Sequence, residues 1–240
     1  MYKHLIVIDD LCKTYPSLAG GVDALKHVSF KIDQGEFVGI VGKSGAGKST
    51  LVNMITGVDT LTSGSITVGD VQIQKLTEDQ RNTWRGHHIG IVYQSFELLN
   101  QLTILENITI AMDFCGNYQG EKSIERALHL LEQVEIGTHA YKLPTAISGG
   151  QQQRVAIARA LANDPEIIVA DEPTGNLDSQ TSQTILDLFL SLQKQGKTII
   201  MVTHNTSMVP VFSKVYHLAD GVLTDRIKKE NDRQKKNRLY

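Results

Sequence analysis

Hydrophobic positions in this chain alternate between two periods, and the switches between them mark its organisation. Val28–Ile32 alternates apolar with polar residues, Gly35 breaks the pattern, and Glu36–Val41 is a second extended run that ends in a glycine-rich segment. Leu51, Met54 and Ile55 then recur at helical spacing and Gly57 closes the turn, so the order here is strand, loop, helix. Gly64–Val71 reads as a short strand pair, and Ile89–Tyr93 as an apolar strand running into Gln94. From Ser95 to about Asn163 the pattern becomes helical. Ile124, Ala127, Leu128, Leu131 and Val134 share one face, and Gln152–Leu161 forms another helix. Ile167–Ala170 and Thr198–Thr203 are uninterrupted apolar runs, as parallel strands covered on both faces require, and Ile185, Leu188, Phe189 and Leu192 stripe the helix between them. The expected layout is an α/β core, β-rich over its first ~75 residues, with a helical insertion over about residues 95–163.

Composition narrows the class. Hydrophobic residues make up 41% and charged residues 21% of the 240, ordinary values for a globular domain. The net charge of −2 supplies no global basic field, so no nucleic-acid partner is expected. Basic residues gather instead at the C-terminus, where Lys228–Tyr240 holds six Lys/Arg against Glu230 and Asp232. Residues 227–240 are expected to be a disordered, solubilising tail, the other reading being contact with anionic lipid or a membrane partner. Cys12 and Cys115 lack metal-ligand spacing and read as unpaired cytosolic thiols. The apolar run Leu5–Ile8 is too short for a signal peptide, and no stretch approaches the ~20 residues that span a bilayer. A cytosolic chain is expected.

The chemistry concentrates in a few segments. Gly42, Lys43, Ser44, Gly45, Ala46, Gly47, Lys48 and Ser49 fit G-x-x-x-x-G-K-[ST], with Thr50 following. Its glycines let successive N–H groups turn toward phosphate, Lys48 reaches the β- and γ-phosphates, and the Ser49 hydroxyl suits Mg²⁺. Ile167–Ala170 delivers Asp171 and Glu172 to the carboxyl edge of the sheet, where Asp171 suits the metal and Glu172 a general base acting on water. His204 ends the strand Thr198–Thr203, which is expected beside the Asp171 strand, so it opens onto the same site. Gln94 ends a strand at the junction with the insertion, placing its amide near metal or water. Tyr15 is either a half-buried strand residue or a ring that stacks on adenine. Ile147-Ser148-Gly149-Gly150-Gln151 looks like a second phosphate-binding helix start. Two such elements with one base-and-metal strand suggest that the second serves a nucleotide held by another molecule.

Gly42–Ser49, Gln94, Ile147–Gln151, Asp171–Glu172, Asn176-Leu177-Asp178 and His204 occur in the order and spacing of ATP-binding-cassette ATPase subunits, which this chain resembles from about Ile6 to Arg226. The resemblance implies a P-loop NTPase (RecA-like) α/β core with an N-terminal antiparallel β subdomain and an inserted α-helical subdomain. It implies ATP and Mg²⁺ as ligands, with Tyr15 stacking adenine. Ser148, Gly149, Gly150 and Gln151 become the signature that meets the γ-phosphate bound by a second copy, and Asp178 part of the loop lining that interface. Ile147 stands where the family usually has leucine, a volume-conserving exchange. Asp171–Asp178 and Gln94–Leu99 further resemble the ATPases of lipoprotein-release, macrolide-export and antimicrobial-peptide-resistance systems. That likeness implies an integral membrane permease partner, a place at the cytoplasmic face of the cell membrane, and a permease contact near Phe96, Leu98, Leu99 and Leu102, residues that equally suit core packing of the insertion. A non-transport relative that regulates a cell-division or cell-wall complex is the alternative. Nucleic-acid-acting cassette proteins generally carry two cassettes and a basic linker, which this chain lacks.

Overall fold

The computed structural model describes residues 4–17 and 20–225; the basic tail expected beyond residue 226 lies outside the described residues. The chain builds two sheets around a shared helix. The first is antiparallel and four-stranded, in the order β2 (Val22–Ile32), β1 (Ile6–Tyr15), β4 (Ser63–Val68) and β5 (Val71–Gln72). In β2 the alternation buries Val28, Phe30 and Ile32 on one face, and an irregularity at His27 (φ 50°) lets Leu25 join the same core. In β1 the same alternation is interrupted at Asp9–Asp10, where both partner registers shift and Asp10 takes a φ of 51°. The irregularity re-phases the strand, so that Leu11 and then Lys13 turn inward.

The second sheet is six-stranded, in the order β10 (Val222–Asp225), β9 (Lys214–Ala219), β3 (Phe37–Val41), β8 (Thr198–Thr203), β7 (Ile167–Asp171) and β6 (Ile89–Val92). All its neighbours pair parallel except β10, which runs antiparallel at the edge. The unbroken apolar runs are explained by two cores. Ile167, Val169, Ile200 and Val202 face the helix α1 (Lys48–Ile55) and the antiparallel sheet, while Ile168, Ala170, Ile199 and Met201 face the other helices. Those are α3 (Ile104–Phe114), α4 (Glu121–Gln133) and α5 (Gly149–Ala160), which lie between β6 and β7, and α6 (Ser179–Lys194), between β7 and β8. Each fully buried Leu, Ile or Phe contributes about 1.5–3 kcal/mol of transfer free energy, so both faces are strongly specified. Inside the inserted helices, buried Asn107 donates to the carbonyls of Leu99, Leu102 and Thr103 and accepts from Leu99 N–H, fixing the loop that enters α3.

Three elements were not legible in the hydrophobic pattern. Helix α2 (Glu78–His88) buries only Trp84 and is defined by a Thr77–Gln80 capping box rather than by an apolar stripe. Strands β9 and β10 carry mixed polar and apolar residues; β10 is the antiparallel edge strand and β9 lies between it and β3.

The parallel arrangement decides where the site can be. β3, β6, β7, β8 and β9 all point the same way, so Gly42, Gln94, Asp171, His204 and Ala219 emerge at or just beyond one edge.

Candidate active site

The loop after β3 is held open by its neighbours. Gly42 N–H donates to Thr203 O at 3.2 Å, and a Cβ on Gly42 would lie 2.3 Å from Leu218 O, so no side chain fits. Gly45 and Gly47 adopt φ of 78° and 100°. Gly47 caps α1 without any side-chain hydrogen bond. Among the described residues the N–H groups of Lys43, Ser44, Gly45 and Gly47 have no hydrogen-bond acceptor. They sit with the positive end of α1 at the floor of a cavity of about 1190 Å³, lined by residues 41–50 and by Gln94, Glu172 and His204. That combination is a ready-made anion site.

Lys48 is folded back over its own loop, donating to Gly42 O at 2.9 Å and Lys43 O at 3.0 Å. Its ammonium also lies 3.3 Å from Glu172 Oε1, and both side chains are nearly buried. Glu172 leaves β7 through a left-handed turn (φ 49°) while its N–H still bonds Val202 O at 3.0 Å. A non-glycine residue there is strained, and the turn aims the carboxylate into the cavity instead of along the strand. Glu172 Oε2 accepts from His204 N–H at 3.2 Å and lies 2.9 Å from His204 Nδ1. One carboxylate thus joins the phosphate-loop lysine to the histidine at the end of β8.

Asp171 occupies the last position of β7, opposite Val202. Burial pushes its carboxyl pKa up; the Ser49 hydroxyl opposes this by hydrogen bonding, and the neighbouring Glu172 charge adds to it. Asp171 Oδ1 is buried and has no hydrogen-bond partner among the described residues. Gln94, just past β6, exchanges hydrogen bonds with Asn176: its Nε2 donates to Asn176 Oδ1 at 3.3 Å, and Asn176 Nδ2 donates to Gln94 O at 3.2 Å. Phe96 and Glu97 follow with φ of 62° and 50°, their carbonyls both held by Arg159.

Other residues singled out in the sequence lie elsewhere. Ser148 caps α5 in a capping box, its N–H donating to Gln151 Oε1 at 2.9 Å and its Oγ accepting from Gln151 N–H. Ser148 and Gly149 are exposed, and none of residues 147–151 lines the cavity. Asp178 caps α6, accepting from Gln180 N–H, Thr181 N–H and the Thr181 hydroxyl, bonds that hold its pKa down. Gly150 is packed so closely on Thr181 that a Cβ would lie 2.5 Å from its methyl, which ties the starts of α5 and α6 together. Tyr15 does not line the cavity; its hydroxyl donates to Asp59 Oδ2 at 2.9 Å, and burial, then that bond, raises its pKa.

The cavity also has a wall that sequence reasoning missed: Thr206, His217, Leu218, Ala219 and Asp220. His217 pairs with Val41, so β9 delivers this wall by lying beside β3. No spacing in the chain announces that neighbour.

Comparison with known proteins accords with this geometry. The family model for ABC transporters matches residues 25–175. An uncharacterized ABC transporter ATP-binding protein of Mycobacterium tuberculosis is 45% identical over 208 residues, covering 86% of this chain and 84% of the relative. The macrolide export ATP-binding/permease protein MacB of Mannheimia succiniciproducens is 39% identical over 226 residues, which is 94% of this chain but 35% of that protein. A dimeric post-hydrolysis structure of the ATP-binding cassette MJ0796 of Methanocaldococcus jannaschii, bound to ADP and Pi, superimposes with a TM-score of 0.85 at 39% identity, covering 92% of this chain and 98% of the other. The phosphate loop, the acid pair at the end of β7 and the match over most of the chain lead to one conclusion: this protein belongs to the ABC transporter family, as an ATP-binding subunit with ATPase activity.

Proposed function

We propose that this subunit hydrolyses Mg-ATP between two copies of itself and so drives an integral membrane permease of the macrolide-export and lipoprotein-release type. The observation that carries the reading is the Glu172 carboxylate, held at the cavity floor by both Lys48 and His204. Residues 42–50 would hold the phosphates through loop N–H groups and Lys48. Glu172 would take a proton from the attacking water as its oxygen bonds to the terminal phosphorus and the bond to ADP breaks. His204 would fix Glu172 and share in orienting the water. The buried, unpartnered Asp171 Oδ1, with the Ser49 hydroxyl and the Gln94 amide nearby, suits a hard divalent cation. These three residues would hold Mg²⁺, which supplies charge neutralisation on the phosphate oxygens.

Ser148 and Gly149 are exposed, Gly150 and Gln151 are half-buried, and all four lie outside their own chain's cavity, which supports their use on a partner's nucleotide, with Asp178 beside them at the interface. The dimeric state of the MJ0796 cassette agrees with that assembly. For the permease we favour the groove of about 610 Å³ lined by Arg85, Tyr93, Phe114, Cys115 and Arg159, where Phe114 is 80% exposed. Of the contacts expected from sequence, Leu98 instead packs against the core, while Leu99 stays exposed.

Glu172→Gln should keep ATP binding, lower turnover by roughly 10²–10⁴-fold and accumulate an ATP-bound dimer, read by phosphate release and size-exclusion chromatography. Hydrolysis at the wild-type rate would remove Glu172 from this role.

A further inference from the structure

Lys13 is buried on β1, an inner strand of the antiparallel sheet, and its surroundings account for a buried cation there. Its ammonium donates to Asp59 Oδ1 at 2.9 Å and to Thr60 O, and lies 4.6 Å from the centre of the Tyr15 ring. Asp59 in turn accepts from the Tyr15 hydroxyl through its other oxygen at 2.9 Å. Two residues apart on β1, Lys13 and Tyr15 project to the same face, after the irregularity at Asp9–Asp10 has re-phased the strand. Thr50, whose hydroxyl also bears on the Tyr15 hydroxyl, lines the nucleotide cavity. The ring is therefore fixed at three points: its face by a cation, its hydroxyl by a carboxylate, and its tip against the helix that follows the phosphate loop.

We propose that Lys13 and Asp59 are positioning residues that hold Tyr15 as a platform for a purine base, leaving one ring face to the nucleotide. The inference rests on the reading of Tyr15 as the base-stacking residue. Among the described residues no other aromatic ring or cation packs on Tyr15. A tyrosine free to rotate would lose part of its stacking energy to ordering on binding; one already clamped does not. The ammonium on one face also draws π-density from the ring, which favours stacking of an electron-rich purine on the other. Neither Lys13 nor Asp59 needs to touch the nucleotide.

The test separates binding that uses the base from binding that does not. Calorimetric titration of the whole protein with ATP and with inorganic triphosphate would be compared for Lys13→Met, Asp59→Asn and Tyr15→Phe, with Lys13→Arg as the conservative variant. A cation–π contact worth about 0.5–1 kcal/mol corresponds to roughly two- to fivefold weaker ATP binding in Lys13→Met, with triphosphate binding unchanged. Asp59→Asn and Tyr15→Phe should weaken ATP by a similar factor, and Lys13→Arg should restore it. Equal loss for both ligands would mean a merely structural role and overturn the proposal, as would unchanged ATP binding in all three variants. Tyr15→Ala tests the underlying reading separately. If it leaves ATP affinity intact, base stacking fails; if it lowers affinity while Lys13→Met and Asp59→Asn do not, only the clamp fails.

Discussion

Two glycine-bearing helix starts in this molecule, those of α1 and α5, look alike in sequence and differ in what their N–H groups are doing. At α1 the cap is Gly47, with no side chain to offer, and among the described residues the N–H groups of Lys43, Ser44 and Gly45 before it lack acceptors. At α5 the cap is Ser148, and a reciprocal box with Gln151 already satisfies donors on both residues. The first start faces a cavity whose walls supply Lys43, Lys48, Glu172, Asp220, His204 and His217; the second faces solvent. A helix N-terminus becomes a phosphate site in its own right when its donors are left unpaired and the fold closes charge around them. The α5 start has its Ser148 and Gln151 donors paired and no charge closed around it within one chain; on the proposed reading a second copy supplies that closure.

The sharpest way to break this comparison is to spoil the α5 start alone. Ser148→Arg should lower turnover at least about 100-fold, by keeping a donor from a developing charge, while ATP affinity of the monomer stays within about twofold. A matching fall in monomer affinity would mean that α5 serves its own chain's nucleotide. A smaller effect of opposite sign is expected on the α1 side. Burial raises the pKa of Asp171, so the folded state holds that proton more tightly than the unfolded chain, and ionisation lowers stability as pH rises from the unfolded pKa through the folded one. Asp171→Asn removes that loss. Without nucleotide it should be more stable at pH 7 by about 1 kcal/mol, a figure kept low because water still reaches part of the carboxylate, and the gain should shrink toward pH 4. Urea melts at the two pH values would check it, and an unchanged or lowered midpoint at pH 7 would contradict the orphaned-acid account. The smallest effect is expected from Gln151→Ala, which takes away half of the α5 capping box. A loss of about 0.5 kcal/mol in the same melts is expected, within the range of exposed caps. No loss at all would mean that water satisfies the Ser148 N–H equally well.

The comparison also shows which kinds of residue a sequence exposes. Lys48 and Ser49 were legible because phosphate binding imposes contiguous spacing, and Asp171–Glu172 because a buried strand must end where ligands bind. Tyr15 stood out as an aromatic in the right region, but the carboxylate and ammonium that fix it were not legible, since Asp59 lies on a distant turn and meets β1 only through the antiparallel sheet. His217 was invisible for a related reason: β9 becomes a wall of the cavity only by pairing with β3. Leu98 carries the same chemistry whether it faces a partner or a core, and only packing distinguishes the two.

The sequence by itself determined the α/β class, the two-sided parallel strands, the phosphate loop and the acid pair, because each is a local pattern with one physical use. The tertiary structure alone decided that Glu172 turns through a left-handed bend to bridge Lys48 and His204, that one Asp171 oxygen has no partner among the described residues, and that Ser148 lies outside the cavity. Those outcomes depend on strand order and on which elements close around a point in space, and neither is encoded at any single position along the chain.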